Sequence, residues 1–243
     1  MFLIIIIGEK AEGNCRFDTV GVPRINLPPF YYKKFSNPQI SHFEKIIERK
    51  NGSLSFAERG CVRAHWAAFE YIIENNVDCC LVLEDDAMFS KFGSPKNLIQ
   101  AYERFITSKQ DIGIVGVSRL NDLNIKYFNF KYSNNLLFSK KYTFLENKNL
   151  NYCGTVGYFI RKKSCELLME FFDEPLWRAD NWDVYRSLGL KVAFYDPILI
   201  IEDTRQSTVS NPHDLMNSLF KRHGVLLEIM HFIYIKLRSF ILK

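Results

Sequence analysis

The stretch Cys79-Cys-Leu-Val-Leu-Glu-Asp-Asp86 decides the fold, because five apolar residues in a row are followed at once by three acids. A short and wholly apolar run is typical of a strand that is covered on both faces of a sheet. Ligands of open α/β sheets bind beyond the carboxyl ends of such strands. The acidic triplet Glu84-Asp85-Asp86 is therefore predicted to face a ligand site.

The sequence on both sides of this run alternates between apolar strands and amphipathic helices. Residues 9–37 are predicted as loops or short extended pieces, and residues 118–150 as loops or a hairpin. This alternation favours an α/β fold with a mainly parallel central sheet flanked by helices. The strands are predicted at 1–7, 112–117 and 154–160, with an edge strand at 190–195, and the helices at 38–50, 55–75, 94–107, 164–172 and 181–188.

Length and composition fit one large globular domain. The chain has 243 residues, of which 47% are apolar, enough for a sizeable core. Basic residues exceed acidic ones by 32 − 27 = 5 without an Arg/Lys stripe among aromatics, so no nucleic-acid partner is predicted. Six cysteines without a C-x-x-C pair indicate buried thiols in a reducing compartment, and the apolar N-terminal run lacks the basic start of a signal peptide. We therefore expect a cytoplasmic protein.

Most of the excess positive charge lies at the carboxyl end of the chain. Residues 220–243 contain five Lys or Arg and one acid, interleaved with Leu, Ile and Phe. This mixture in a helix is typical of an interfacial anchor on anionic lipid. We therefore divide the chain into a globular domain at 1–219 and a basic amphipathic tail at 220–243. Packing of the tail on the domain or on a second subunit is the alternative.

The acidic triplet has the composition of a divalent cation site. Alternate residues of an extended segment point the same way, so Glu84 and Asp86 can approach one ion together. Hard cations such as Mn²⁺ and Mg²⁺ prefer carboxylate and phosphate oxygens. The alternative is a solvated turn that includes a helix cap, and the triplet by itself favours neither interpretation.

Several short blocks of sequence around the triplet match one known pattern. They are Glu58-Arg-Gly-Cys-Val-Arg-Ala-His65, Leu81-Val-Leu-Glu-Asp-Asp86, Gly154-Thr-Val-Gly-Tyr158, Ala179-Asp180, 196–199 and 207–209. Over residues 55–210 the chain thereby resembles glycosyltransferase family 25, the lipooligosaccharide galactosyltransferases of Gram-negative bacteria. It departs from the family at Ala64, where a serine is usual, and lacks the opening-strand motif near residues 4–16. The resemblance implies a GT-A type fold, UDP-galactose or a close relative as donor, and an inverting reaction.

An inverting transfer needs a base that takes the proton of the acceptor hydroxyl as its oxygen attacks the sugar, and a carboxylate is the expected choice. Asp180 is the first candidate, and Asp183, one turn further on, is the second. Asp180 directly precedes a predicted helix, so a helix cap is the alternative explanation for it.

Further candidates are expected around the donor. Asp85 is expected near its ribose or sugar, and His65 either contributes to the site or is a hydrogen-bonded core residue. His213 is a candidate third metal ligand, against the alternative that Asn211 or Asp214 caps a helix there. The remaining donor contacts, each of which also has an ordinary structural explanation, are Gly154, Arg205 and Ser207.

These features predict an enzyme that transfers a hexose, galactose in the first instance, from a UDP-sugar to the core oligosaccharide of lipooligosaccharide or lipopolysaccharide. The expected cofactor is Mn²⁺ or Mg²⁺. The expected location is the cytoplasm, with peripheral association to the inner membrane through the tail. The alternative from a different class is a catalytically inactive family member that binds carbohydrate or acts in adhesion.

Overall fold

The computed structural model of the chain describes residues 2–8, 16–27, 56–117, 142–145, 154–171 and 177–203. The helices of these segments are α1 (Phe56–Glu74), α2 (Pro95–Thr107), α3 (Lys162–Phe171) and α4 (Trp182–Ser187), and a 3₁₀ turn spans Asp18–Val20. The strands are β1 (Ile4–Ile7), β2 (Arg24–Leu27), β3 (Cys79–Glu84), β4 (Ala87–Phe89), β5 (Ile112–Val117), β6 (Thr143–Leu145), β7 (Gly157–Arg161), β8 (Val192–Asp196) and β9 (Ile200–Glu202). The predicted helix at 38–50 and the predicted tail at 220–243 lie outside the described residues.

The nine strands of the described segments form one sheet. Its order is β2-β1-β3-β7-β5-β8-β6, and β9 pairs with the end of β5 and with β4. Strands β1, β2, β3, β5, β8 and β9 run in one direction, whereas β4, β6 and β7 run in the other. The predicted α/β class with a mostly parallel central sheet is therefore confirmed, with the difference that antiparallel β7 separates β3 from β5.

The reversed direction of β7 brings its amino end to the carboxyl end of β3. Leu83 is paired with Gly157, and the Glu84 amide donates a hydrogen bond to the Val156 carbonyl oxygen over 3.2 Å. The segment that precedes β7, residues 154–156, therefore lies beside the first acid of the triplet. If β7 ran parallel to β3, this segment would lie at the amino ends of the strands, far from Glu84.

Apolar side chains fill both faces of the sheet. The alternation along β1 sends Ile5 and Ile7 to one face and Ile4 and Ile6 to the other, because successive side chains of a strand point to opposite sides. The first face packs on side chains of α1, α3 and α4, and the second on side chains of α2. Their buried contacts include Trp66, Phe69, Ile72, Cys165, Leu168 and Trp182 on the first face and Leu98, Ala101 and Phe105 on the second.

Two sheet edges differ from the sequence-based expectation. The segment 190–195 was predicted as an edge strand, which is wrong, since β6 pairs with β8 and covers it. In the stretch predicted as loops or short extended pieces, residues 24–27 form β2, which pairs in parallel with β1. Both added strands are short and only half-buried, so they carry little periodic signal. Among the helices of the described residues, none combines the length and the apolar character needed to cross a membrane.

Candidate active site

Glu84, at the carboxyl end of β3, is held by donors from two other elements. Its Oε1 accepts a hydrogen bond from the Thr155 hydroxyl, faces His65 Nε2 at 3.3 Å, and lies 4.0 Å from the Cys61 thiol sulfur. Cys61 and His65 come from α1, and Thr155 comes from the segment before β7. No described residue donates a hydrogen bond to Oε2, and the Glu84 side chain is 24% exposed. One oxygen is therefore anchored, while the other remains available to a ligand.

His65 connects Glu84 to the interior of the protein. The ring is 2% exposed, and its Nδ1 lies 2.8 Å from the Tyr158 hydroxyl oxygen. One pattern satisfies all three groups: the Tyr158 hydroxyl donates to Nδ1, and Nε2–H donates to Glu84. His65 is thus a hydrogen-bonded core residue that also contacts the first residue of the acidic triplet.

These contacts determine the ionisation state of Glu84. Burial alone would raise the pKa of Glu84, but the hydrogen bond from His65, the proximity of its ring and the hydrogen bond from Thr155 lower that pKa below its ordinary value. Glu84 is therefore held as a carboxylate. Tyr158 remains protonated because burial raises the pKa of its hydroxyl, so it can serve as a donor to His65.

Asp86 has the opposite electrostatic character. Asp86 is 9% exposed, and its Oδ1 is buried without a hydrogen-bond partner among the described residues. Burial, followed by the charges of Glu84, Glu202 and Asp85, raises the pKa of Asp86 to about 8. A buried carboxyl group among other carboxylates is stabilised either by a proton or by a cation.

The backbone around Asp86 is fixed by a partly buried ion pair between Arg16 and Asp203. Asp203, just after β9, is 3% exposed, and its Oδ2 accepts a hydrogen bond from Arg16 Nη2 over 2.8 Å. The Asp203 amide donates to the Asp86 carbonyl oxygen over 2.8 Å, and Arg16 Nη1 donates to the Ala87 carbonyl oxygen over 3.3 Å. Sequence reasoning missed Arg16, because it lies 187 residues from its partner and no local pattern marks it.

Asp85 lies against the end of β1. A Cβ atom at Gly8 would come within 2.4 Å of Asp85 Cγ, and Gly8 has a φ of +129°, which side chains other than glycine rarely adopt. A glycine at the end of this strand therefore leaves room for the Asp85 carboxylate. Sequence reasoning also missed this contact, although a glycine directly after a buried strand is a signal that could have suggested it.

Asp180 approaches the same region from the segment before α4. Its Oδ2 accepts a hydrogen bond from the Gly154 amide over 2.7 Å, and the helix has Asn181 in the N-cap position without a side-chain cap. The Asp180 carboxylate is therefore engaged across the chain instead of capping its own helix. Burial is the largest cause that raises the pKa of Asp180; the Gly154 hydrogen bond lowers it, and the charge of Glu84 raises it further. The neighbouring Trp182 is 3% exposed and anchors the segment.

Other predicted site residues fall elsewhere. Asp183 forms an ion pair with Arg186 at 2.7 Å on the surface of α4 and is 55% exposed, so the structure does not bring it to the acidic triplet. Glu58, the first residue of the block that ends at His65, pairs with Arg178 at 2.9 Å and ties the Asp180 segment to the start of α1. Outside the described residues lie Arg205, Ser207 and His213.

One cluster in the described part of the chain has the spacing of a metal-binding group. The Cys61 sulfur, a His65 ring nitrogen and a Glu84 carboxylate oxygen all lie within 4.8 Å of one another. Asp86 is not a member of this group, and the charge of Glu84 is one of the causes that raise the pKa of Asp86.

Comparison with known proteins gives a family and several distant structural likenesses. No curated protein sequence matches the chain. Among solved structures, A197 from STIV is 11% identical, with 87% of this chain and 99% of that chain covered and a TM-score of 0.40. The inositol-1-phosphate CTP transferase from T. maritima is 16% identical, with 90% and 93% covered and a TM-score of 0.38. The 4-diphosphocytidyl-2C-methyl-D-erythritol synthase from Anaerococcus prevotii is 10% identical, with 89% and 95% covered and a TM-score of 0.41.

These TM-scores are too low to support an argument, so the assignment depends on the sequence match. The profile described as glycosyltransferase family 25 (LPS biosynthesis protein) matches residues 27–182. That range contains Glu58, His65, the acidic triplet, Thr155 and Asp180. The chain belongs to glycosyltransferase family 25 and is a glycosyltransferase.

Proposed function

We propose that this enzyme transfers a hexose, galactose in the first instance, from a UDP-sugar to the growing oligosaccharide of lipooligosaccharide or lipopolysaccharide, with inversion at the anomeric carbon. Its family implies a sugar donor and an oligosaccharide acceptor. The observation that carries the proposal is the pair of unlike carboxyl groups at the end of β3. Glu84 is held ionised by contacts of His65 and Thr155 with one of its oxygens, and Asp86 has a buried oxygen that accepts no hydrogen bond from the described residues.

The donor atoms of this pair fit a hard divalent cation. Mn²⁺ and Mg²⁺ are bound by carboxylate and diphosphate oxygens, and Glu84 and Asp86 offer such oxygens at the strand end. The unsatisfied Asp86 oxygen loses its desolvation penalty when a cation replaces the proton. We therefore assign Glu84 and Asp86 as the residues that would hold Mn²⁺ or Mg²⁺. When bound, such an ion neutralises the negative charge of the leaving diphosphate.

The neighbouring residues would orient the pair and the donor. His65 and Thr155 hold Glu84 Oε1 and thereby fix the orientation of the carboxylate. The ion pair between Arg16 and Asp203 fixes the backbone that carries Asp86. Asp85, packed on Gly8 at the end of β1, is the residue we assign to the ribose or sugar of the donor.

Asp180 is the group we assign as general base. The raised pKa of Asp180, caused mainly by burial, makes its carboxylate a stronger proton acceptor than an ordinary aspartate. It would take the proton of the acceptor hydroxyl while that oxygen bonds to the anomeric carbon and the bond to the nucleoside diphosphate breaks. The hydrogen bond from Gly154 keeps the carboxylate in place for that step.

The test is donor turnover with a matched pair of variants. Purified protein with Mn²⁺ should slowly release UDP from UDP-galactose by hydrolysis, and Asp86→Asn should abolish the release. Asp78→Asn is the control, because Asp78 is an exposed aspartate at the opposite end of β3. Equal UDP release by wild type and Asp86→Asn would contradict the assignment. A screen of UDP-sugars by thermal melting identifies the hexose, because a donor that binds only the native state raises the melting temperature.

The basic tail is the part we assign to membrane association from the cytoplasm. Residues 220–243 carry five of the chain's Lys and Arg residues and one acid. Deletion of 220–243 should abolish co-sedimentation with anionic liposomes while leaving turnover on a soluble sugar acceptor close to that of wild type. Aggregation or unfolding of the shortened protein would instead assign the tail to the core.

A further inference from the structure

We propose that Cys61, His65 and Glu84 form a second cation site, selective for a borderline or soft transition metal such as Zn²⁺ and distinct in ligand chemistry from the carboxylate pair Glu84 and Asp86. The geometry that points to it is a thiol, an imidazole and a carboxylate whose ligand atoms lie within 4.8 Å of one another. Thiolate and imidazole ligands favour Zn²⁺ over Mg²⁺ or Mn²⁺. This cluster shares Glu84 with the proposed donor site, but its other two ligands come from α1.

The spacing of the ligands fits a tetrahedral ion. Cys61 and His65 are four residues apart on α1, so both side chains lie on one face of the helix. Zinc bonds of about 2.0 to 2.3 Å place ligand atoms of a tetrahedral site about 3.3 to 3.6 Å apart. His65 Nε2 and Glu84 Oε1 are already 3.3 Å apart, and the Cys61 sulfur is 4.0 Å from the same oxygen. A shift of the thiol by about 0.5 Å brings the sulfur-to-Oε1 distance into this range, and the sulfur and the ring nitrogen already lie within 4.8 Å of each other.

The outer partner of His65 is an independent feature of such a site. Metal-binding histidines usually donate a hydrogen bond from the nitrogen that does not face the metal. The Tyr158 hydroxyl oxygen lies 2.8 Å from Nδ1 and is buried, so it can accept that hydrogen bond once the ring proton moves from Nε2 to Nδ1. Tyr158 thereby fixes the ring with Nε2 directed at Glu84.

Binding of a divalent cation by this cluster releases one proton, because the thiolate is the form of cysteine that binds metals. A divalent cation bonds to the sulfur and displaces the thiol proton to solvent, while His65 binds as a neutral ring. Three protein ligands leave a fourth position open, as in zinc sites that bind water or substrate.

The experiment uses Co²⁺ as a spectroscopic substitute for Zn²⁺ on the full-length chain without donor or acceptor. Titration should produce a near-ultraviolet thiolate-to-cobalt absorption band that Zn²⁺ removes by competition and Mg²⁺ does not. The band should be absent in Cys61→Ala and present in Cys165→Ala, in which another buried thiol of the described core is removed. A band that persists in Cys61→Ala, or none in wild type, would overturn the proposal.

A second measurement needs no variant and so remains decisive if Cys61→Ala does not fold. Zn²⁺ should protect Cys61 from alkylation by iodoacetamide at least tenfold, measured by mass spectrometry of its peptide, and Mg²⁺ should not protect it. Equal alkylation with either ion would contradict the site. Because neither measurement involves a sugar donor, failure of UDP release would refute the proposed function and leave this site standing.

Discussion

Thr155, in the segment before β7, donates its hydroxyl hydrogen bond to the oxygen of Glu84 that also faces His65, although 71 residues separate Thr155 from Glu84. Because β7 is antiparallel to β3, the amino end of one meets the carboxyl end of the other. The first acid of the triplet is therefore oriented by two elements that are remote in sequence. Its orientation can be changed without altering any proposed metal ligand.

Thr155→Val should weaken Mn²⁺-dependent turnover because it keeps the shape of the side chain and removes the donor to Glu84. Loss of an outer hydrogen-bond partner of a metal ligand typically costs about ten- to a hundredfold in metal affinity or activity. The measurement is the Mn²⁺ concentration for half-maximal UDP release. Thr155→Ser keeps the hydroxyl and should stay near wild type. An unchanged Mn²⁺ requirement in Thr155→Val would show that this hydrogen bond does not matter.

Asp86→Asn should stabilise the metal-free protein, and more so at high pH. The folded pKa of Asp86 is raised to about 8 from an ordinary value of 3.8, so the folded state holds this proton when the unfolded state has already lost it. The proton on Asp86 therefore makes its full contribution to the free energy of unfolding below pH 4, and this contribution is lost as the pH rises through 8. Between pH 6 and 8.5 we expect wild type to lose about 2 to 3 kcal/mol that the variant keeps.

Urea unfolding in EDTA at those two pH values measures this difference, and Asp78→Asn serves as the control for a general effect of charge. Parallel pH dependence in wild type and Asp86→Asn would contradict the assigned environment. With Mn²⁺ present the order should reverse, because the ion then stabilises only the protein that retains the carboxylate.

Asp180→Asn should lower kcat while the protein stays folded. Asparagine retains an oxygen that accepts the hydrogen bond from the Gly154 amide but cannot take a proton. General base catalysis typically contributes about a hundred- to ten-thousandfold, so a loss of that size in transfer to acceptor is expected with little change in donor affinity. Donor binding by calorimetry and transfer by product analysis separate the two effects. Wild-type kcat in this variant would remove Asp180 as the base.

Gly8→Ala should weaken donor binding because the added Cβ would lie 2.4 Å from Asp85 Cγ. The φ of +129° also makes alanine unfavourable there, at a cost of roughly 1 kcal/mol. Gly21→Ala is the control that separates backbone strain from displacement of Asp85, since Gly21 has a φ of +71° and no atom of the described residues lies within 4 Å of the added Cβ. Both variants should lose stability in urea unfolding, but only Gly8→Ala should lose donor affinity. Equal donor affinity in both would show that Asp85 does not contact the donor.

The sequence alone determined the class of the fold and the place of the acids. Residues 79–83 are apolar throughout because helices cover both faces of the sheet, and a strand of this kind is recognisable from its own residues. The change from apolar to acidic at Glu84 marks where that strand leaves the core. The block from Glu58 to His65 pointed to the family, and the helix that contains it, predicted at 55–75, spans Phe56–Glu74.

Only the tertiary structure decided which side chains meet at the end of β3. Thr155 reaches Glu84 because β7 lies antiparallel between β3 and β5, and Arg16 reaches Asp203 from 187 residues away. Strand order and direction are set by packing between distant segments, so no local pattern contains them. The different ionisation of Glu84 and Asp86 has the same origin, because neighbouring acids in sequence receive unlike burial and unlike hydrogen bonds once the chain is folded.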